Sequence, residues 1–299
     1  MQGTGPLLIT GGSGYLGRHL GLCAARYAEA HPELGCEIVA TCREHPERVT
    51  VPRMRSLDVS DAEAVRALVH ELAPVALVHT AAANPGRDES LMEAVNVEGS
   101  RHVAEAARDV GARLVHLSSD VVHDGKKGKP YVEEDPPTAA SGYGGSKARA
   151  EGAVAAAHPG AAIVRVSLLY DAAEMDRGTG GFAERLGAGE PVRLFSDVER
   201  QPISLDSTAD ALLALAFEFT DYSGVLNAGG RQVMSREAFG RRMLEWWQVP
   251  GRERVEAVKA ADLPGPPPLD LRLDCTRAEA LLGMTFPGVD EVLETARRG

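Results

Sequence analysis

Tyr143 and Lys147 stand four apart, with Gly144, Gly145 and Ser146 between them, at the head of a segment with helical spacing. Residues four apart lie one turn along the same helix face, so the lysine can reach toward the phenol. A free phenol has a pKa of about 10 and is a sluggish acid–base near neutrality; a nearby ammonium favours the phenolate and lowers that value. Ser118-Ser119-Asp120 follows the apolar run Leu114 to Leu117. In an open α/β sheet, ligands bind at the carboxyl edge of the strands, where a serine hydroxyl can hold a carbonyl oxygen beside the phenol. Singly, Tyr143 reads as well as a surface helix residue, and Ser119 as a loop or cap. Together, downstream of a glycine-rich loop, they point to proton transfer at a carbonyl.

That loop is Thr10-Gly11-Gly12-Ser13-Gly14-Tyr15-Leu16-Gly17, placed between an apolar run and a helical segment. Gly11 permits a tight turn, Gly14 lets the backbone approach a pyrophosphate, and Gly17 lets helix and strand pack closely. The helix start adds unpaired amides for an anion. Three spaced glycines alone are a weak signal, and a plain strand–turn–helix link is the alternative; their place in a βαβ unit favours nucleotide binding. At the end of the second strand an acidic residue would hold the ribose 2′-hydroxyl of NAD, whereas this chain has Thr41-Cys42-Arg43. Arg43, helped by Arg18, suits the 2′-phosphate of NADP. NADP(H) is therefore expected ahead of NAD(H), with Arg43 as a solvated loop charge the alternative and Glu44 close enough to blur the reading.

Positioning these groups requires alternating elements. Strands are expected at Leu7 to Thr10, Glu37 to Thr41, Val75 to His79, Leu114 to Leu117 and Ala161 to Val166. Helices are expected from Gly14 to about Ala30, Asp61 to Leu72, Ser90 to Val110 and Tyr143 to Ala157. Short apolar runs between helices indicate a parallel sheet buried on both faces, and right-handed crossovers then give a doubly wound, Rossmann-like α/β fold. Beyond Tyr170 the pattern loosens: 171–181 reads as a mobile loop, Ser207 to Phe219 and Ser235 to Trp247 as capped helices, and Pro264 to Pro268 as a stiff loop. The expected division is a dinucleotide-binding domain over 1–170 and a smaller, partly interleaved substrate-binding domain over 171–299.

The 299 residues carry a formal net charge of -11, which repels phosphate backbones and argues against nucleic acid as a partner. Cys23, Cys36, Cys42 and Cys275 are scattered, so neither a metal site nor a redox pair is indicated. No apolar run has the length of a membrane span and no leader pattern precedes Leu7, so a cytoplasmic protein without membrane contact is the default.

Specific stretches carry a family resemblance: Leu57-Asp58-Val59, Thr80-Ala81-Ala82-Ala83, Ala94-Val95-Asn96, Ser118-Ser119-Asp120, His123-Asp124-Gly125-Lys126, Pro130 to Pro137, Tyr143 to Lys147, Arg165 to Tyr170, Pro202 to Asp206 and Cys275 to Glu279. With the glycine loop they resemble the extended short-chain dehydrogenase/reductases, in the dTDP-4-dehydrorhamnose reductase branch, over nearly the whole chain. The resemblance implies an NADP(H)-dependent reductase passing hydride to a carbonyl, the 4-keto group of a dTDP-linked deoxysugar being the substrate expected. It implies that Gly11, Ser13, Gly14, Tyr15, Leu16 and Gly17 line the pyrophosphate. Asp58 and Val59 would flank the adenine, Ala81, Ala82 and Ala83 the nicotinamide side, and Asn96 would support the site from its helix. Ser119 would position the carbonyl, Tyr143 donate the proton, and Lys147 hold the ribose and tune Tyr143, with no metal required. Asp120 and Arg200 are expected on the substrate side, with Arg177 nearby in the loop; a solvated surface charge is the alternative for both arginines. A homodimer is a family-level expectation.

The chain departs from the branch in two places. Asp120-Val121-Val122-His123 stands where an aromatic pair is usual, and Leu168 where a Trp is usual. Both belong to the substrate side. They keep open a related reductase or epimerase acting on another carbonyl, and a non-catalytic NADP-binding subunit like that of methionine adenosyltransferase. A dehydratase needs a further carboxylate beside the serine, and Asp120 has no adjacent Glu.

Overall fold

Strand β1 (Leu7–Thr10) is buried along its whole length, and the chain leaves it through a turn made by Gly11 at φ +74. The computed structural model describes residues 5–262, 265 and 267–298; Pro264 and Pro266, within the segment expected as a stiff loop, lie outside them. Helix α1 (Tyr15–Ala30) follows, then β2 (Ile38–Cys42), β3 (Arg53–Ser56), α2 (Ala62–Leu72) and β4 (Ala76–His79). The Asp61 side chain accepts from the amides of Glu63 and Ala64 and so starts α2. A helical run from Glu89 contains α3 (Glu89–Met92), a π-helical stretch (Glu93–Glu98) and α4 (Gly99–Asp109). Then come β5 (Arg113–Ser119), α5 (Gly142–Ala157) and β6 (Ala162–Val166).

These strands and one later one form a seven-stranded sheet ordered β11-β6-β5-β4-β1-β2-β3, where β11 is Gly224–Ala228. The pairings β1–β2, β1–β4, β2–β3 and β4–β5 are parallel. The order runs outward in both directions from β1, so the crevice between the carboxyl ends of β1 and β4 is the switch point where such folds bind ligands. One face of the sheet buries Leu8, Leu77, Leu114 and Ile163 against Val65 and Leu68 of α2, Val103 and Ala107 of α4 and Val154 of α5. The expected α/β architecture is therefore present.

The remaining elements are β7 (Leu169–Tyr170), α6 (Arg177–Gly187), β8 (Val192–Phe195), β9 (Glu199–Arg200), β10 (Ile203–Ser204) and α7 (Leu205–Phe217). After β11 follow β12 (Met234–Ser235), α8 (Arg236–Trp246), β13 (Val255–Val258), α9 (Thr276–Leu282) and α10 (Val289–Arg298). Two expectations change here. The segment read as a loop to residue 181 contains the start of α6, because the Asp176 side chain accepts from the amides of Gly178 and Thr179 and so initiates the helix despite its glycines. Ser207, read as a cap, lies inside α7; its amide donates to Ser204 Oγ, one turn earlier. Ser235 does cap α8, accepting from the amide of Ala238.

Contacts group the chain into two units: residues 1–122, 137–165 and 208–226 in the first, and 123–136, 166–207 and 227–299 in the second. The first holds the large sheet. The second has its own apolar clusters, one around Leu186, Leu194 and Leu244 and one around Tyr170, Phe239, Met243 and Leu293. Among the described residues, no helix is long and apolar enough to cross a membrane.

Candidate active site

The glycine loop is shaped by close backbone approaches. A Cβ at Gly11 would lie 2.7 Å from the amide nitrogen of Ala81, so the ends of β1 and β4 meet without room for a side chain. A Cβ at Gly17 would lie 2.1 Å from the Gly11 carbonyl, and this glycine is what lets α1 start so near the strand. At Gly14 a Cβ would meet only the Gly11 carbonyl at 3.1 Å, leaving the other side open. Gly14 is the N-cap of α1 and no side chain caps that end. The first-turn amides of a helix have no intrahelical acceptor. Open space over a glycine beside an uncapped helix start, at the switch point, fits a dinucleotide's pyrophosphate. Ser13, Tyr15 and Leu16 belong to this turn, and Ser13 Oγ donates to the Glu44 carbonyl at 2.9 Å.

At the end of β2 the exposed Arg43 contacts two carboxylates, Glu44 at 2.8 Å and Asp58 at 3.7 Å. Burial works to raise the Asp58 carboxyl, but hydrogen bonds from Ser60 and the neighbouring guanidinium hold it below the usual range. Val59, the other expected adenine neighbour, is 5% exposed and packs in the core.

Ala81 and Ala82 are half-buried beyond β4, and Ala83 is pinned by Asn96. Asn96 Oδ1 accepts from the Ala83 amide at 2.7 Å and its Nδ2 donates to the Ala83 carbonyl at 3.1 Å. The same Nδ2 reaches Ser146 Oγ at 2.9 Å, and Ser146 Oγ donates to the Tyr143 carbonyl at 2.8 Å. Asn96 is fully buried rather than facing solvent. It lies in the π-helical stretch, a local irregularity often found at functional sites.

A second polar chain runs beneath it. Ser100 Oγ donates to the Asn96 carbonyl at 2.6 Å, so this hydroxyl must accept from His79 Nε2 at 3.1 Å. His79 Nδ1 is then the acceptor for the Thr10 hydroxyl at 2.6 Å. The geometry assigns His79 the neutral Nε2–H form, and burial with the nearby Lys147 ammonium pushes its pKa down to about 3. The chain links the end of β1 to the helix that carries Asn96.

Ser119 ends β5 and donates from Oγ to Asp120 at 3.2 Å. Tyr143 and Lys147 stand in the first turns of α5, whose head packs closely on the residues after β5: a Cβ at Gly144 would lie 2.2 Å from the Val121 carbonyl. Lys147 is 3% exposed and donates from Nζ to the Leu117 carbonyl at 2.6 Å. Burial lowers its pKa to about 8, opposed by Glu151. The Tyr143 phenol is pushed up to about 12, by burial first and then by the Asp120 carboxylate. The expectation that Lys147 lowers the phenol is thus not met, because these two effects prevail.

Sequence reasoning passed over the Ser118–Glu151–Arg165 cluster, where Ser118 Oγ and a two-pronged Arg165 both bond the Glu151 carboxylate. One signal was available: Glu151 is one turn beyond Lys147. Of the substrate-side residues, Asp120 is fully buried beside Ser119, and Arg200, 8% exposed in β9, is not a solvated surface charge; Arg177 is exposed at the start of α6. Val121 and Leu168 are half-buried. The His123 ring, one of the departures, stacks on Tyr131 with centroids 3.8 Å apart.

Comparison with known proteins adds the following. The family model described as RmlD substrate binding domain matches residues 5–297. A protein named dTDP-4-dehydrorhamnose reductase from Mycobacterium tuberculosis is 32% identical over 273 residues, spanning 88% of this chain and 82% of its own length. Methionine adenosyltransferase 2 subunit beta of Rattus norvegicus is 28% identical over 315 residues, spanning 96% and 86%. The crystal structure of dTDP-4-dehydrorhamnose reductase from Bacillus anthracis in complex with NADP superposes with a TM-score of 0.78 at 24% identity, covering 98% of each chain.

Proposed function

The chain belongs to the RmlD substrate binding domain family of extended short-chain dehydrogenase/reductases, and from this premise we infer that it reduces the 4-keto group of a dTDP-linked deoxysugar with NADP(H). It is an oxidoreductase dependent on a nicotinamide cofactor. The observation that carries the assignment of the reacting groups is the bond from Lys147 Nζ to the Leu117 carbonyl, which ties the head of α5 to the strand end bearing Ser119.

The nicotinamide ring, when bound at the β1/β4 crevice, supplies the hydride. Ser119 turns its hydroxyl from Asp120 to the substrate carbonyl and polarises it. Tyr143 holds the phenolic proton at its high pKa and delivers it to the developing alkoxide. Lys147, positive below about pH 8, binds the ribose hydroxyls and stabilises the phenolate left behind. Gly11, Ser13, Gly14, Tyr15, Leu16 and Gly17 receive the pyrophosphate, with Asp58 and Val59 toward the adenine and Ala81, Ala82 and Ala83 toward the nicotinamide. Asn96 acts through the backbone it holds. Asp120 and Arg200 serve the substrate. The absence of an acidic residue at Thr41-Cys42-Arg43 supports NADP(H) over NAD(H). A homodimer is the assembly proposed.

Likeness to the methionine adenosyltransferase subunit favours a second reading, a non-catalytic NADP-binding protein. Retention of Ser119, Tyr143 and Lys147 together speaks against it. The test is NADPH oxidation in the presence of a dTDP-linked 4-keto sugar. Turnover should be seen in the parent and fall by about 10²-fold or more in Tyr143→Phe, the usual scale for losing a general acid. NADPH binding without turnover of any carbonyl would select the second reading; turnover only of small free carbonyls would replace the sugar substrate.

A further inference from the structure

The Glu151–Arg165 pair has so far no catalytic task. Its side chains are 5% and 2% exposed. Glu151 Oε1 accepts from Ser118 Oγ at 2.5 Å and from Arg165 Nε at 2.9 Å, while Oε2 accepts from Arg165 Nη2 at 2.8 Å. One carboxylate therefore joins α5, β5 and β6. Burying such a pair is a poor way to gain stability, since desolvation offsets the attraction and apolar side chains of similar volume often do as well. Location supplies a different reason. Ser118 immediately precedes Ser119, and Glu151 follows Lys147 by one helical turn on the same face.

We propose that Glu151 is a positioning residue of the active site: its carboxylate fixes the strand end that presents Ser119 and supplies the negative charge that stabilises the Lys147 ammonium. This rests on the assignment of Tyr143 and Lys147 as the reacting pair. The groups facing Lys147 are Glu151 from its own helix, His79 from β4 and His116 from β5; Arg165 of β6 stands behind Glu151, and Asp120 acts on Tyr143. Both histidines are neutral, held far below their ordinary value by burial and by the ammonium itself. They contribute no anion, so the burial that lowers Lys147 is opposed by Glu151.

Activity requires the ammonium and is lost as pH rises through its pKa. Glu151→Gln keeps an oxygen for Ser118 but removes the charge and leaves Arg165 uncompensated. The alkaline limb of the kcat profile should then move to lower pH by about one unit, the scale on which a nearby charge moves a pKa. The pH at which NADPH binding weakens, followed by cofactor fluorescence without turnover, should move in the same direction. In Glu151→Gln/Arg165→Met the shift should be smaller than in the single variant, because the opposing guanidinium is gone as well. A folded Glu151→Gln protein with both limbs unmoved overturns the proposal. If the single variant does not fold, the double variant decides, and an unmoved binding limb there is equally fatal. Full turnover in Tyr143→Phe would instead strike the reading on which this rests.

Discussion

Burial and the Asp120 carboxylate hold the Tyr143 phenol up at about 12, so the side chain is a protonated donor throughout the neutral range. That is the state a reduction needs before hydride arrives. The Tyr-x-x-x-Lys spacing announced the pair, but it carried no information about Asp120, whose effect depends on the turn after β5 folding back toward α5. Arg43 is a similar case. Its place at the end of β2 was legible, whereas its contact with Asp58 joins residues 15 positions apart through β3. A 2′-phosphate must compete with Glu44 and Asp58 for this guanidinium. NADPH should still bind more tightly than NADH, and Arg43→Ala should narrow the difference by up to about tenfold, the value of a charge-assisted contact. Fluorescence titration of both cofactors checks this; equal affinities in the parent protein would contradict it.

Two glycines of helical segments behave in opposite ways, and the contrast tests how the loop is built. Gly17 faces the Gly11 carbonyl, a backbone atom that cannot move aside. Gly17→Ala should destabilise the protein by about 3 kcal/mol or more, or prevent folding, as overpacking against backbone does. Gly181, inside α6, has nothing within 4 Å of its Cβ position. Gly181→Ala should stabilise by about 0.5–1 kcal/mol through helix propensity and a less flexible unfolded chain. Urea unfolding reads both, and a tolerated Gly17→Ala would mean the loop is looser than described. Element by element, the strands of the large sheet were legible wherever an apolar run marked them. Strand β3 was not, since Arg53-Met54-Arg55-Ser56 offers no such run and is half exposed at the sheet's edge. The π-helical stretch was also hidden, because its apolar positions fit an ordinary helix.

For the molecule as a whole, the β11-β6-β5-β4-β1-β2-β3 order places one crevice at the centre of the sheet, and a cofactor bound there stabilises the folded state by mass action. NADPH at 100 times its dissociation constant should add about 2.7 kcal/mol, and the melting temperature should rise by about 5 °C or more. A thermal scan with and without NADPH measures it; no rise with either nicotinamide cofactor would count against the site. Alternation of strands and helices disclosed this sheet down to β6. The return of residues 208–226 to the same unit could not be read, because α7 is an apolar helix that would suit either unit and Gly224–Ala228 is a short strand with weak patterning.

That return has a consequence for how the protein is made. The outer edge of β6 stays open until β11 arrives, some 60 residues later in the chain. On the ribosome, where residues emerge at about 5–20 per second, the nascent sheet spends several seconds with an unpaired, fully buried-type strand as its border. An exposed apolar edge is a template for pairing with another chain. Fast translation of the stretch between β6 and β11, or a chaperone standing over the edge, would shorten or cover that exposure.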